Sequence, residues 1–560
     1  MNIYLAQHNY HIGNFEANTT KIIQAIQAGK QANAHIVVCS ELSVCGYPPR
    51  DFLEFEDFIL KCDQAIALIA SHTQGIAVVV GAPARNMVKE GKDLFNAAYF
   101  IANGVVQSVH HKTLLPTYDV FDEYRYFEPA YNWTVAEYMG TKIAITICED
   151  IWNLGDNPLY RICPMDELIQ QQPDIMINIS ASPFDYTHGA DRRAIIKANV
   201  VKYGIPMVYV NAVGSQTEIV FDGDSLVFDK NANLIQALPL FSEAEYMVTI
   251  HNDGTCEQPI SVPAALITTT PLDPEHLHHT LHIDYIYQAL VLGIKDYFTK
   301  MGFTKAILGS SGGIDSAVTL ALACAALGSH NVTAVLMPSP YSSTHSVHDA
   351  VALSKHLGNP YHTIPIKDVY ECFLTTLKPQ FQDLPFGIAE ENIQSRSRGN
   401  ILMAIANKFN YILLNTSNKS ELATGYGTLY GDMAGGIGVL GDLYKMQIVA
   451  LANYINSDAE IIPNHIITKP PSAELRPNQK DSDSLPEYAI LDVILYQYIE
   501  HRKGPAEIKA MGYEPTLVDR ILKLVNQNEY KRNQFCPIIR VSPKAFGVGR
   551  RMPIVGKYLS

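Results

Sequence analysis

Short apolar runs separated by helix-period stretches set the pattern of this chain. In the first half the runs are 36–39 (IVVC), 76–80 (IAVVV), 143–147 (IAITI), 175–179 (IMINI) and 207–210 (MVYV). Continuous rather than alternating apolarity predicts strands buried on both faces, with helices outside. A last strand-like pair, 225–229 and 246–250, closes this half. Residues 251–278 read as a connector with scattered Pro and Thr. The His-rich stretch His276, His278, His279 and His282 offers either a metal site or surface histidines at a linker-to-helix junction. From 283 a helical pattern leads into strands at 306–308, 332–336, 361–366 and 411–414. Strand, loop and helix in alternation predict a parallel, doubly wound sheet with ligands at the carboxyl ends of its strands. The expected organisation is two α/β domains, 1–250 and 279–560, joined by a linker over 251–278.

Composition narrows the class. A chain of 560 residues exceeds one ordinary core. With 47% hydrophobic and 18% charged residues it reads as folded and globular. A formal net charge of -14 disfavours a role in coating nucleic acid, which attracts basic surfaces. The nine cysteines include no CxxC pair, which excludes the commonest zinc and thioredoxin spacings, and no disulfide framework is expected. MNIYLAQHNY does not resemble a signal peptide, and no apolar run approaches the roughly 18 to 20 residues that span a bilayer. A cytoplasmic setting with no membrane partner is expected.

The second half carries a phosphate cradle. After the strand ending at Leu308 come Gly309, Ser310, Ser311, Gly312, Gly313, Ile314, Asp315 and Ser316, then an apolar helix. Small residues let backbone N–H groups approach an anion, and a helix start adds unpaired donors. Asp315 beside such a loop calls for a cation, which points to magnesium on a polyphosphate. A plain strand-to-helix turn is the bland alternative. No GxxxxGK[ST] occurs, and the GxGxxG at 436–441 follows no predicted strand, so neither a Walker loop nor a dinucleotide fingerprint is assigned.

The loop resembles the SGGxDS signature of N-type ATP pyrophosphatases, which adenylate a carboxylate or carbonyl. That signature alone leaves GMP, asparagine, argininosuccinate and NAD synthesis and tRNA thiolation open. ENIQSRSR at 391–398, LNTSNKSE at 414–421 with GYGTLYGDMAGG, and PPSAELRPNQKDSDSLPEY at 470–488 resemble NAD synthetase segments, the last their mobile loop over the active site. The resemblance implies an adenine nucleotide alpha hydrolase-like fold. It also implies ATP binding by residues 309–316, Thr416 and Lys445, magnesium on Asp315 and Glu421, and deamido-NAD contacts from Asn392, Glu421 and Lys531. Arg396, Arg398 and Arg532 add the cations that such ligands demand.

In the first half Glu41, Lys112 and Cys148 stand at strand ends or in the loops that follow. A thiol, a carboxylate and an ammonium are the parts that amide cleavage through a thioester needs. Taken singly, a strand-end Cys is usually core and a strand-end Glu a cap. ELSVCGYPPRD, HKTLLPTYDVFDE, CEDIW and NISASPF resemble the Glu-Lys-Cys segments of the nitrilase superfamily, most of all its glutaminase branch fused to NAD synthetases. The resemblance implies a nitrilase-like α-β-β-α sandwich and makes Tyr118, Glu149, Ser182 and His188 candidates for glutamine, His188 standing where the family pattern has Lys. Glu123 is a candidate second acid, and Arg192 either holds the substrate carboxylate or pairs on a helix.

Together these strings imply a two-site enzyme that frees ammonia from glutamine and amidates ATP-activated deamido-NAD, with a homo-oligomer expected by the same resemblance. The alternatives are another glutamine amidotransferase of this chemistry, an ammonia-only synthetase with an inactive glutaminase, and a non-catalytic nucleotide sensor.

Overall fold

The computed structural model describes residues 1–154, 158–257, 282–477, 479, 481–483 and 485–559, with Ser482 described by its backbone alone. The chain divides into two compact units, Met1–Thr269 and Thr270–Ser560. His276, His278 and His279, most of the 251–278 connector and part of the 470–488 segment lie outside the described residues.

The strands of the first unit are β1 (Asn2–Gln7), β2 (Ile36–Val38), β3 (Ala77–Arg85), β4 (Leu94–Ala102), β5 (Val105–His111), β6 (Ala136–Tyr138) and β7 (Thr141–Ile147). They continue with β8 (Ile175–Ser180), β9 (Met207–Asn211), β10 (Val213–Gln216), β11 (Ile219–Asp222), β12 (Leu226–Phe228), β13 (Leu234–Ala237) and β14 (Ala244–Thr249). Its helices are α1 (Phe15–Gln31), α2 (Glu56–Ser71), α3 (Pro164–Leu168) and α4 (His188–Tyr203). One sheet runs β14-β1-β2-β3-β4-β5, the other β13-β12-β9-β8-β7-β6, and β10 pairs with β11 alone.

Each predicted apolar run becomes a strand buried on both faces, and its alternate residues serve two cores. Ile36, Val38 and Val79 meet Ile143, Ile145, Ile147 and Ile177 between the sheets. Val37, Cys39 and Val78 turn outward onto Ile22, Ala25 and Ile26 of α1 and Ile66 and Ile69 of α2. On the other sheet Ala144, Met176 and Tyr209 face Ile196 and Val200 of α4. The result is the expected α-β-β-α sandwich.

The sheets are mixed. Only β1-β2-β3 and β7-β8-β9 are parallel, while β14, β4 and β5 join their neighbours antiparallel. The strands that periodicity missed include β5, which is exposed at Val105 and Val106, the short β10 and β13, in which polar residues interrupt the apolar pattern, and β11, whose apolar run is only 219–221. α1 is capped by Asn14, whose side chain accepts from Ala17 N at 3.3 Å.

The second unit contains β15 (Ala306–Gly309), β16 (Val332–Leu336), β17 (Tyr361–Thr363), β18 (Ile412–Asn415) and β19 (Ile437–Gly438). Its helices are α5 (Ile283–Met301), α6 (Ile314–Leu327), α7 (Thr344–Leu357), α8 (Lys367–Phe381), α9 (Ile388–Phe409) and α10 (Lys419–Thr424). Beyond them come α11 (Lys445–Ile455), α12 (Asn464–Thr468), α13 (Tyr488–Ile499), α14 (Pro505–Ala510), α15 (Pro515–Gln527) and α16 (Glu529–Arg532).

All five strands are parallel in the order β17-β16-β15-β18-β19. Leu402 and Ala406 of α9 cover Ile307, Val335 and Leu413. The strand order reverses between β15 and β18, so the loops after these two strands open on one crevice. The predicted strand 361–366 stops at Thr363, and its three residues are exposed at the sheet edge. The 436–441 glycines serve packing: a Cβ at Gly438 would come within 2.8 Å of Phe535, and one at Gly441 within 2.9 Å of Ile538. Among the described residues no helix is long and apolar enough to cross a membrane.

The fully buried Lys419 ties this unit together. Its ammonium sits 2.9 Å from Asp442, 2.8 Å from Glu500 and 2.7 Å from the Ser542 hydroxyl. Removing the cation from a buried cluster leaves uncompensated carboxylates, so Lys419→Met should destabilise this unit by about 3–5 kcal/mol. Urea unfolding followed by a probe placed in the second unit measures the loss.

Candidate functional site

In the first unit Glu41 follows β2, Lys112 follows β5 and Cys148 follows β7. The Lys112 ammonium lies 2.8 Å from Glu41 Oε1 and 2.7 Å from Glu123 Oε1, all three side chains being buried. Asn96 Nδ2 bridges the two carboxylates, at 2.7 Å from Glu41 and 3.2 Å from Glu123. Ala181 N donates to Glu41 Oε2 at 2.9 Å and the Tyr47 hydroxyl to Glu123 at 2.8 Å. The Glu41–Leu42 turn passes so close over β3 that a Cβ at Gly81 would stand 2.2 Å from Leu42 N, which makes glycine obligatory there.

Burial alone would strip the proton from Lys112, but Glu123, Glu41 and Cys148 outweigh it and hold the ammonium well above its ordinary range. Burial lifts Glu123 to about 7 against the pull of Lys112. Burial and then the Glu41 carboxylate push the Cys148 thiol well above 9, and Lys112 opposes them.

Cys148 has φ of 43°, a left-handed conformation rare for a residue with a side chain. Asp150 holds this elbow: its Oδ2 accepts from Ile147 N at 3.0 Å, and its Oδ1 accepts from Thr113 N at 3.0 Å and Leu114 N at 2.9 Å. The same carboxylate therefore fixes the backbone on both sides of the cluster, beside Lys112 and beside Cys148.

Glu149 accepts from the Tyr118 hydroxyl at 3.0 Å and from the Tyr160 hydroxyl at 3.1 Å. Ser182 Oγ and His188 Nε2 lie 3.0 Å apart, and His188 stacks on Trp152 with ring centroids 4.8 Å apart. Arg192 resolves to the pairing alternative: it is fully buried, 2.9 Å from Asp222.

Sequence reasoning missed Asn96, Tyr47, Asp150 and Tyr160. Asn96 and Asp150 carried a signal, a polar side chain inside an apolar strand and an acid three residues beyond the end of another. The two tyrosines carried none.

In the second unit the loop after β15 and the start of α6 open on a cavity of about 680 Å³ at the point where the strand order reverses. Its walls include Gly309, Ser310, Ser311, Gly313, Ile314, Asp315 and Ser316, together with Thr416, Glu421 and Lys445. Gly312 faces away, with φ of 79° and its Cα so near α7 that a Cβ would meet the Ser346 carbonyl oxygen at 2.2 Å. Lys445 Nζ is 2.5 Å from Asp315 and 4.0 Å from Glu421. Asn418 Nδ2 donates to Asp315 at 3.0 Å.

Burial, and then the neighbouring Asp315, raise the Glu421 carboxyl well above its ordinary range, and Asp481 adds to the effect. Lys445 remains protonated because Asp315 and Glu421 outweigh its burial. Three acidic side chains thus surround the Lys445 ammonium. Asp481 also accepts from Tyr426 at 3.2 Å and Tyr488 at 3.0 Å.

Asn392 and Lys531 are not in this wall. Asn392 accepts from Thr428 Oγ1 at 2.8 Å, and Lys531 donates to the Gly425 and Gly427 carbonyls at 2.7 and 3.0 Å. Arg398 lines the cavity, with Nε donating to the Met337 carbonyl at 3.0 Å. Arg532 is turned to structure: it donates to the Leu422 and Ala423 carbonyls at 2.9 and 2.8 Å and to Glu529 at 2.7 Å, capping the end of α10.

Residues 3–255 match the carbon-nitrogen hydrolase family and residues 286–535 the NAD synthase family. The chain is 43% identical to the glutamine-dependent NAD(+) synthetase of Synechocystis sp., over 99% of this chain and 98% of that protein. It is 37% identical to the protein of the same name from Thermotoga maritima, over 100% of this chain and 99% of that protein. The structure of glutamine-dependent NAD+ synthetase from Acinetobacter baumannii in complex with adenosine diphosphate covers 100% of this chain and 99% of its own, at 36% identity and a TM-score of 0.77. That of Cytophaga hutchinsonii, at 20% identity and a TM-score of 0.82 over 100% of this chain and 98% of its own, shares the fold.

The balance of charges around Cys148 is open to measurement. Glu41 raises the thiol and Lys112 lowers it, so neutralising the carboxylate increases the thiolate fraction at a given pH. Glu41→Gln should speed iodoacetamide alkylation of Cys148 several-fold at pH 8, read by peptide mass. Lys112→Met should slow it.

Proposed function

Because the chain belongs to the glutamine-dependent NAD(+) synthetase family, we propose that it amidates deamido-NAD to NAD with ammonia released from glutamine, consuming ATP. Residues 1–250 form the glutaminase, 279–560 the synthetase and 251–278 the linker. The observation that carries the reading is the fully buried Lys112 clamped between Glu41 and Glu123 beside a strained Cys148.

In the first site Cys148 Sγ attacks the side-chain carboxamide carbon of glutamine. Glu41 takes the thiol proton and returns it to the nitrogen as the C–N bond breaks, so ammonia leaves and a thioester remains. Two of the three N–H bonds of Lys112 are spent on Glu41 and Glu123. The third is left for the oxyanion, whose charge exists only around the tetrahedral state. Water then attacks the thioester through Glu41 and frees glutamate. Glu149, oriented by Tyr118 and Tyr160, complements the α-ammonium of glutamine, and the Ser182–His188 pair its carboxylate.

In the second site the nicotinate carboxylate of deamido-NAD attacks the α-phosphorus of ATP. Pyrophosphate leaves, and ammonia then displaces AMP from the acyl carbon. Residues 309–316 with Thr416 hold the phosphates, and Lys445 neutralises charge that gathers on them. Asn392, Glu421 and Lys531 contact deamido-NAD. Asp315 and Glu421 fit magnesium, because among the described residues this partly buried pair has ion pairs only with the Lys445 ammonium. A carboxylate pair completed by phosphate oxygens suits that ion, which when bound offsets polyphosphate charge. Nine unpaired cysteines support a reducing, cytoplasmic setting, and the family resemblance supports a homo-oligomer.

Purified protein given ATP, magnesium, deamido-NAD and glutamine should form NAD, AMP and glutamate. Cys148→Ala should lose glutamine-dependent NAD formation by at least about 10³-fold while ammonium-dependent formation persists. Absence of NAD from the wild-type mixture with either nitrogen source sinks the reading. Asp315→Asn should lower both activities together by roughly 10²-fold, measured as AMP release.

A further inference from the structure

Asp492 on α13 is fully buried, and its recorded polar partners are hydrogen-bond donors, with no ion pair to any described residue. A lone buried carboxylate is costly unless its hydrogen bonds compensate it, and burial lifts this one to about 7. Its two oxygens do separate tasks. Oδ1 accepts from the Ser420 hydroxyl at 2.6 Å, and Oδ2 accepts from Met446 N at 2.9 Å. Ser420 Oγ in turn accepts from Lys445 N at 3.0 Å.

The first two N–H groups of α11 are therefore capped from two other helices. Ser420 of α10 takes the first and Asp492 of α13 the second. Glu421 stands one residue after Ser420 and Lys445 one residue before Met446. Asp492 thus joins the backbone that carries a cavity carboxylate to the backbone that carries the cavity ammonium. One turn earlier on the same face of α13, Tyr488 lies with its ring 5.3 Å from the Lys445 ammonium.

We propose that Asp492, acting through Ser420, is a positioning residue for ATP activation, fixing the helix start from which Lys445 reaches the phosphates. The proposal rests on the reading of the second site given above and goes beyond it, since neither residue lines the cavity. A long flexible lysine finds the same point in space reproducibly only if its backbone is held. When ionised, the carboxylate accepts two hydrogen bonds at once, whereas a carboxamide offers one acceptor and one donor. Asn at 492 would thus keep the shape of the side chain and lose one of the two attachments.

The test is steady-state kinetics of the full-length protein with ammonium as nitrogen source, comparing wild type, Asp492→Asn and Ser420→Ala. Misplacing a catalytic group by around an ångström costs up to about 10²-fold. Both variants should therefore lose roughly 10- to 100-fold in kcat and raise the KM for ATP. The KM for ammonium and glutamate release in the first unit should stay at wild-type values. Wild-type kcat and ATP KM in both variants, with only thermal stability lowered, would overturn the proposal. If Asp492→Asn does not fold, Ser420→Ala, which keeps the carboxylate, decides alone. Wild-type protein that forms no NAD would instead refute the functional reading beneath it, so the two failures are distinguishable.

Discussion

An ammonium taken out of water must meet carboxylates, and in this protein that requirement draws distant pieces of chain together. The desolvation of one such ion costs several kcal/mol even after relaxation. Lys112 recovers it from Glu41 and Glu123, Lys419 from Asp442 and Glu500, and Lys445 from Asp315 and Glu421. In every case the partners come from different elements, so the ion pair forms only when the sheet is in register and the loops at its strand ends are closed. The cost of the charge thereby becomes a requirement for one arrangement.

The functional clusters occupy the carboxyl ends of strands because the rest of each strand has no room for them. Residues of β2, β7 and β8 are committed on both faces, to the inter-sheet core on one side and to helices on the other. Only where the ladder ends can a side chain leave the apolar layers without unpairing backbone. Cys148 takes that exit in a left-handed conformation, and Asp150 compensates with three backbone hydrogen bonds. The strain and the carboxylate that supports it belong to one device.

This logic explains what was legible beforehand. Two-sided burial writes itself as uninterrupted runs such as IVVC and IMINI, so the central strands and the parallel sheet of the second unit could be read directly. β4 and β5 escaped because their antiparallel pairing is a property of partners, which a single segment does not carry. The loop 309–316 was legible because its composition is unusual, and Glu41, Lys112 and Cys148 because the strings around them resemble the nitrilase Glu-Lys-Cys segments. Tyr47 was hidden, and Asn96 showed only as a polar residue inside an apolar strand, since their roles exist only through carboxylates distant in sequence. Composition left Arg192 open between ligand and ion pair and offered Arg532 as a ligand cation, and the structure gives the first to a buried carboxylate and the second to helix-end carbonyls.

Both pockets are also short of positive charge, and this shapes their chemistry in the same way. Around Cys148 stand Glu41, Glu123 and Glu149 with one ammonium, so a standing thiolate would deepen an existing excess of negative charge. The thiol consequently keeps its proton at rest. In the proposed reaction it releases the proton as attack carries negative charge onto the carbonyl oxygen beside Lys112, so the substrate itself arms the nucleophile. Around the Lys445 ammonium the acids Asp315, Glu421 and Asp481 likewise predominate, which on the proposed function favours a polyphosphate that brings positive charge with it. On the proposed function, each site therefore completes its charge balance only when its substrate arrives.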